Sequence, residues 1–167
     1  MNIDPFSLPS ARPLETAGGT IETRDGFVVR TRVDGVDGVG ESTPLPGWTE
    51  SLEACESALR GLEEPRATLE RDELGDAPAA RHAVSLALFD ARARAAGESL
   101  ALFLGGARAR TAERVPVNAT VGSTSVPATA DAVRDAAAAG HDCRKGKVGV
   151  PAVDRDLQRL GAARAAG

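Results

Sequence analysis

The sequence predicts an α+β domain followed by the first units of a parallel β/α structure larger than the chain itself. Three observations carry this. The first fifty residues are β-rich and punctuated by Asp-Gly pairs; from Thr49 the apolar residues take helical spacing; after Arg110 strand-like and helix-like segments alternate over short connections.

Thr20 to Arg24 alternates, Asp25-Gly26 reads as a two-residue hairpin turn, and Phe27 to Val33 reads as a β-branched strand. Asp34-Gly35 and Asp37-Gly38 mark a second reversal before Val39, Gly40 and Glu41, which together make a three-stranded antiparallel meander. Pro44, Pro46 and Gly47 break the sheet into a loop. Thr49 or Ser51 caps a helix running to about Leu62. A stronger helix runs from Pro78 to Ala96, with Ala83, Leu86, Ala87, Asp90 and Ala91 at three- and four-residue spacing and Gly97 as its stop. A short helical turn, Leu100 to Leu104, ends at Gly105-Gly106. Beyond Arg110, Val115 to Val121 is a strand, Val126 to Ala139 a helix closed by Gly140, Cys143 to Val150 a strand, and Val153 to Ala166 a helix. Two β/α units do not cover both faces of a parallel sheet, and a closed β/α barrel takes roughly 250 residues. The second half therefore reads as the start of something larger.

At 167 residues with 42% hydrophobic side chains the chain can bury a core, which argues against disorder. A net charge of -4 gives no reason to expect nucleic acid or an anionic membrane surface as partner. No apolar run approaches a membrane span, and the N-terminus lacks a basic stretch followed by a hydrophobic one, so the expected compartment is cytoplasmic. Cys55 and Cys143 lie far apart without CxxC spacing and are expected to be reduced, buried thiols. Of 20 basic residues only Lys145 and Lys147 are lysine. Arginine replaces lysine on a solvated surface but not where the group must lose its proton, so a lone pair of lysines at alternate positions points to acid–base chemistry, with chance placement as the bland alternative.

Several segments carry a family pattern. Residues 12–14 read R-P-L and residues 16–19, Thr16-Ala17-Gly18-Gly19, follow closely. Segment 38–48 reads G-V-G-E-S-T-P-L-P-G-W, segment 81–92 R-H-A-V-S-L-A-L-F-D-A-R, segment 102–106 L-F-L-G-G, segment 115–122 V-P-V-N-A-T-V-G, and segment 145–149 K-G-K-V-G. In this order they resemble the enolase superfamily, in its mandelate racemase/muconate lactonizing enzyme branch, and are most similar to o-succinylbenzoate synthases. The resemblance implies a capping domain over residues 1–110 and the start of a (β/α) TIM-type barrel over 111–167, with the barrel incomplete in this chain.

Alternate residues of a strand share a face, so Lys145 and Lys147 would project together. Two ammonium groups side by side disfavour full protonation of the pair, leaving one amine free to take a proton from carbon next to a carboxylate. The resemblance assigns the base to Lys147 and a tuning role to Lys145. It also implies Mg2+ to stabilise the enediolate. The substrate-binding residues it implies are Thr16, Ala17, Gly18, Gly19, Leu45, Pro46 and Trp48. Gly18-Gly19 would be a lid or a plain turn, and Trp48 a pocket wall or an interface plug. Glu41 is expected to bond loop amides; His82 and His141 lack ligand spacing; Gly105-Gly106 is a helix stop, since no Lys-Ser/Thr follows. No metal ligand is assigned within the chain. The three family carboxylates, and a further lysine on the sixth strand, are expected beyond Gly167, so the chain is expected to be the front of a longer protein and inactive alone.

The function so implied is syn dehydration to o-succinylbenzoate in menaquinone biosynthesis, a lyase reaction on a small carboxylate substrate. The alternatives are a muconate cycloisomerase, dipeptide epimerase or N-acylamino acid racemase, which begin with the same proton abstraction, and a truncated non-catalytic binding or assembly protein. A homo-oligomer is admissible and is not fixed by the sequence.

Overall fold

The computed structural model describes every residue except 17–18, 46, 66–71, 109 and 150–151, and leaves aside the side chains of Arg12, Glu15 and Thr16. The chain divides into two compact units, Met1–Leu14 with Ile21–Thr111, and Glu15–Thr20 with Ala112–Gly167.

The first unit is built on a three-stranded sheet in the order β1 (Asn2–Thr16), β2 (Gly19–Val33), β3 (Val36–Ser42). β2 and β3 are antiparallel, with Val33 opposite Val36 and Phe27 opposite Ser42. The reversal between them is Asp34-Gly35, both at positive φ (50° and 83°), the two-residue geometry whose twist matches the flanking strands. The other two Asp-Gly pairs correct the sequence reading. Asp25-Gly26 is not a turn: β2 runs straight through it, and the missing sheet strand is β1, which the sequence reading did not assign. A Cβ at Gly26 would strike the Ser42 carbonyl and the ring of Phe6. Asp37-Gly38 likewise lies inside β3. These glycines serve close approach rather than chain reversal.

At Gly38 what approaches is the helix α2 (Pro78–Ala95); α1 (Leu52–Arg60) precedes it. α2 buries Ala80, Ala83, Ala87 and Ala91 completely, together with Val84 and Leu88. Opposite them, a Cβ at Gly38 would meet the Ala87 carbonyl and Ala91, and one at Gly40 the Ala83 carbonyl and the Ala87 nitrogen. Helix and strand therefore pack backbone to backbone, with Phe27, Val29, Cys55 and Leu59 completing the core.

Three polar side chains fix this arrangement. Ser51 caps α1, accepting the Ala54 N–H at 3.1 Å. Ala77 offers α2 no side-chain cap, and the Glu50 carboxylate takes the Ala79 and Ala80 N–H groups instead, at 3.1 and 2.9 Å. Asp90 takes the Val39 N–H of β3 at 2.9 Å and the Arg94 guanidinium at 2.9 Å. The unit closes with α3 (Leu100–Gly105), capped by Ser99, and a 3-10 turn at Gly106–Arg108.

The second unit alternates β4 (Ala119–Val121), α4 (Val126–Ala138), β5 (Arg144–Gly146) and α5 (Val153–Ala166). β4 and β5 are parallel, with Thr120 opposite Lys145. Both strands are shorter than the sequence reading put them. Val115 and Val117 are 73% and 66% exposed, so burial gives residues before Ala119 no reason to pair, and Pro116 has no N–H to offer a ladder. At the other end β5 stops before Gly149, which turns at φ 89°. Ser125 caps α4 by accepting the Ala128 N–H at 3.3 Å, and Thr129, Ala130, Val133 and Ala136 form its buried face. Among the described residues no helix is long and apolar enough to cross a membrane.

Candidate functional site

The two lysines stand at the C-terminal end of β5. Lys145 is exposed within the strand; Lys147 follows immediately and is half-buried. The Lys147 N–H donates to the Val121 carbonyl at 3.1 Å, continuing the parallel pairing from the last residue of β4 to one residue past β5. A cavity of about 110 Å3 beneath this end is lined by Val121, Thr129, Val133, Lys147, Leu160 and Ala163. That is below the roughly 300–1,000 Å3 of a small-molecule site, so this cavity does not enclose a substrate by itself.

A buried ion pair supports the strand end. Arg159 and Asp156 on α5 have side chains only 4% and 10% exposed, and their groups meet at 2.6 Å. Arg159 also donates to the Gly122 carbonyl just past β4 at 2.7 Å, to the Lys147 carbonyl at 3.1 Å, and to the Thr129 hydroxyl of α4 at 3.2 Å. The second oxygen of Asp156 accepts the Gly149 N–H at 2.7 Å. One guanidinium thus gathers the carbonyls that leave both strands. Breaking such a pair from one side costs about 3–5 kcal/mol, because the remaining charge stays buried. Sequence reasoning missed this cluster, since Asp156 and Arg159 at i, i+3 look like an ordinary surface pair on a helix.

The remaining sequence candidates lie elsewhere. Leu45 and Trp48 belong to the loop after β3, closed by the Thr49 hydroxyl, which accepts the Leu45 N–H at 2.7 Å, and by the Trp48 N–H donating to the Leu45 carbonyl at 2.9 Å. Trp48 is 81% exposed. Gly19 opens β2 at φ 122°. Ala17, Gly18, Pro46 and the side chain of Thr16 lie outside what the structure describes. Glu41 is exposed on β3; the carboxylates that take backbone amides among the described residues include Glu50, Asp90 and Asp156. His141 sits at the opposite end of the strands from Lys147, its ring nitrogen 3.4 Å from the Val117 carbonyl.

The cysteines divide. Cys55 is fully buried, its Sγ 2.9 Å from the Ser42 hydroxyl, and burial pushes its thiol up to about 11. Cys143 is exposed, which corrects the expectation of two buried thiols: it precedes β5 at the rim of the unit, where nothing covers it. Among the described residues no three His, Cys, Asp or Glu side chains come together to hold a metal ion, and Asp156 is already engaged by Arg159 and Gly149. The described residues therefore do not fit a Mg2+ site.

Residues 5–105 match the family model of the mandelate racemase / muconate lactonizing enzyme N-terminal domain. The chain belongs to this family of the enolase superfamily, and the sheet-and-helix unit described above fits its capping domain. Among curated proteins it is 34% identical to the L-Lys-D/L-Arg epimerase of Methylococcus capsulatus over 92% of this chain and 46% of that one. It is 26% identical to the chloromuconate cycloisomerase of Cupriavidus necator, over 92% and 45%. The solved dipeptide epimerase of Methylococcus capsulatus, complexed with Mg and the dipeptide L-Arg-D-Lys, superposes with a TM-score of 0.80 at 30% identity, covering 99% of this chain and 49% of that one. The chain spans about half the length of the curated relatives it matches. These relatives are an epimerase and a cycloisomerase, so the comparisons carry the superfamily without the o-succinylbenzoate synthase type.

Proposed function

We propose that the protein takes part in abstraction of a proton α to a carboxylate, with Lys147 as the base, and that the reaction is an isomerisation of a dipeptide or a related small carboxylate. The observation that carries this reading is the position of the chain's only two lysines, at alternate residues where β5 ends. Ends of parallel strands are where barrel enzymes place their chemistry. The kinship with an epimerase favours isomerisation over the lyase reaction. Residues 1–110 act as the cap and residues 111–167 as the first two β/α units.

In this reading Lys147 removes the α-proton from one face of the substrate, and Lys145 supports the charge that develops. Epimerisation returns a proton to the opposite face, which needs an acid other than these two neighbours. Mg2+ dependence belongs to the same proposal and rests on the metal in the related dipeptide epimerase complex. Thr16, Ala17, Gly18, Gly19, Leu45, Pro46 and Trp48 are the proposed substrate contacts of the cap. The compartment proposed is the cytoplasm, and a homo-oligomer is an admissible assembly. Dehydration to o-succinylbenzoate is the second reading, favoured by Pro44-Leu45-Pro46-Gly47-Trp48 and the Thr16-Ala17 pair.

The test is α-proton exchange in D2O, followed by proton NMR, on the protein expressed from its own gene with Mg2+ present. L,L-dipeptides and the dehydratase substrate are compared. Exchange and epimer formation on dipeptides are expected, and Lys147→Arg should remove both while leaving the circular dichroism spectrum unchanged. Turnover of the dehydratase substrate alone would replace the isomerase reading; full exchange by Lys147→Arg would end the base assignment.

A further inference from the structure

We propose that Arg159, seated by Asp156, is the positioning residue of Lys147; the proposal rests on the reading of Lys147 as the base. The backbone at Lys147 is held on both sides of its Cα. Its N–H is fixed by the Val121 carbonyl at 3.1 Å, and its C=O by the Arg159 guanidinium at 3.1 Å. Two pinned peptide planes leave the Cα–Cβ bond one direction.

The strands themselves cannot do this. β4 ends at Val121 and β5 at Gly146, so the Gly122 and Lys147 carbonyls lie just past the ladder. Arg159 reaches both, and a guanidinium is suited to it because its donors diverge from one rigid plane. The neighbouring turn is fixed by the same pair, since Asp156 takes the Gly149 N–H at 2.7 Å where the chain turns at φ 89°. Lys145, by contrast, is held only within the strand pairing opposite Thr120. The cluster thus singles out one lysine of the two. Burying a charged pair is a poor way to gain stability, while it does fix geometry.

The experiment uses the double variant Asp156→Leu/Arg159→Met, which removes both charges together and leaves neither buried alone. Lysine labelled with 13C at Cε reports on the site directly, because the chain contains only two lysines. The double variant is expected to stay folded by circular dichroism, and the Lys147 resonance should move towards the position of a free lysine while that of Lys145 stays put. In the active enzyme kcat should fall about a hundredfold with KM changed by less than about threefold, the pattern of misplacement rather than lost substrate binding. If the double variant does not fold, Asp156→Asn/Arg159→Gln, which likewise removes both charges and keeps amide N–H donors in the cluster, reads the same quantities. An unmoved Lys147 resonance, or an unchanged kcat in a folded variant, overturns the proposal. A protein without proton-exchange activity in wild-type form would sink the base assignment on its own, and the resonance would still decide whether Arg159 orients Lys147.

Discussion

Cys55 and Cys143 have the same side chain and opposite chemistry. With its thiol pushed up to about 11 by burial, Cys55 should stay unmodified by a thiol-specific disulfide reagent near pH 8, while exposed Cys143 reacts. One equivalent of thiol in the native chain and two after denaturation is the expected result; two in the native chain would contradict the burial. Because the Cys55 value is raised on folding, its contribution to stability is intact below the free-thiol value of about 8.5 and is lost as pH climbs towards the folded value. Asp90 has the opposite sign. Burial pushes its carboxyl up, but the Arg94 guanidinium and the Val39 N–H outweigh burial and hold it below the ordinary value. Its stabilisation is therefore complete above the ordinary carboxylate value of about 3.9 and is lost as pH falls through the folded one. In urea melts Asp90→Asn should cost roughly 1–3 kcal/mol at neutral pH, and that gap should close in acid. A gap independent of pH would show that the charge is idle. The spacing of the cysteines told that no disulfide framework exists, and nothing in it told which thiol is covered, because cover comes from Ser42 and the core rather than from neighbours in sequence.

At the scale of elements, the contact of α2 with β3 admits a sharp test. Gly40→Ala places a methyl group against the Ala83 carbonyl and the Ala87 nitrogen, so it should destabilise by about 1–3 kcal/mol or more, although alanine ordinarily suits ordered structure better than glycine. A lowered urea midpoint with an unchanged slope is expected; a neutral or stabilising outcome would mean that the helix stands further off. The same glycines explain where sequence reasoning succeeded and failed. Asp-Gly marks a turn when the glycine is needed for positive φ, as at Asp34-Gly35. It marks nothing of the kind when the glycine is needed for its missing Cβ, as at Gly26 and Gly38, and the dipeptide cannot tell the two apart. The helices were legible because their end signals are local: Ser51 sits where its capping bond is made, and Gly97 and Gly140 follow their helices at positive φ. Glu50 was not legible as a cap, since the helix it caps begins 28 residues further on, at Pro78.

For the molecule as a whole, the two units differ in how much they bury. The first holds a continuous apolar core from Phe27 to Leu88, whereas the buried apolar side chains described in the second are Val121, Ala130, Val133 and Ala136. In hydrogen exchange, amides of β2, β3 and α2 should be the slowest, and those of β4 and β5 faster by more than about an order of magnitude. Equal protection would imply that residues 112–167 are stabilised by more than their own core. The catalytic candidates were readable from composition, because two lysines among 20 basic residues stand out in any order of reading. Their support was not, because only the fold turns Asp156 and Arg159 from a helix-surface pair into a buried hub. The seam of alanine and glycine between α2 and β3 has one more consequence. Ala and Gly have no side-chain rotamers to lose on burial, whereas immobilising one arginine forfeits up to about 2 kcal/mol of rotamer freedom. The first unit therefore joins its sheet to its helix with little side-chain disorder given up along the seam. At Arg159 the second unit gives up that freedom, and what it obtains is a fixed direction at Lys147.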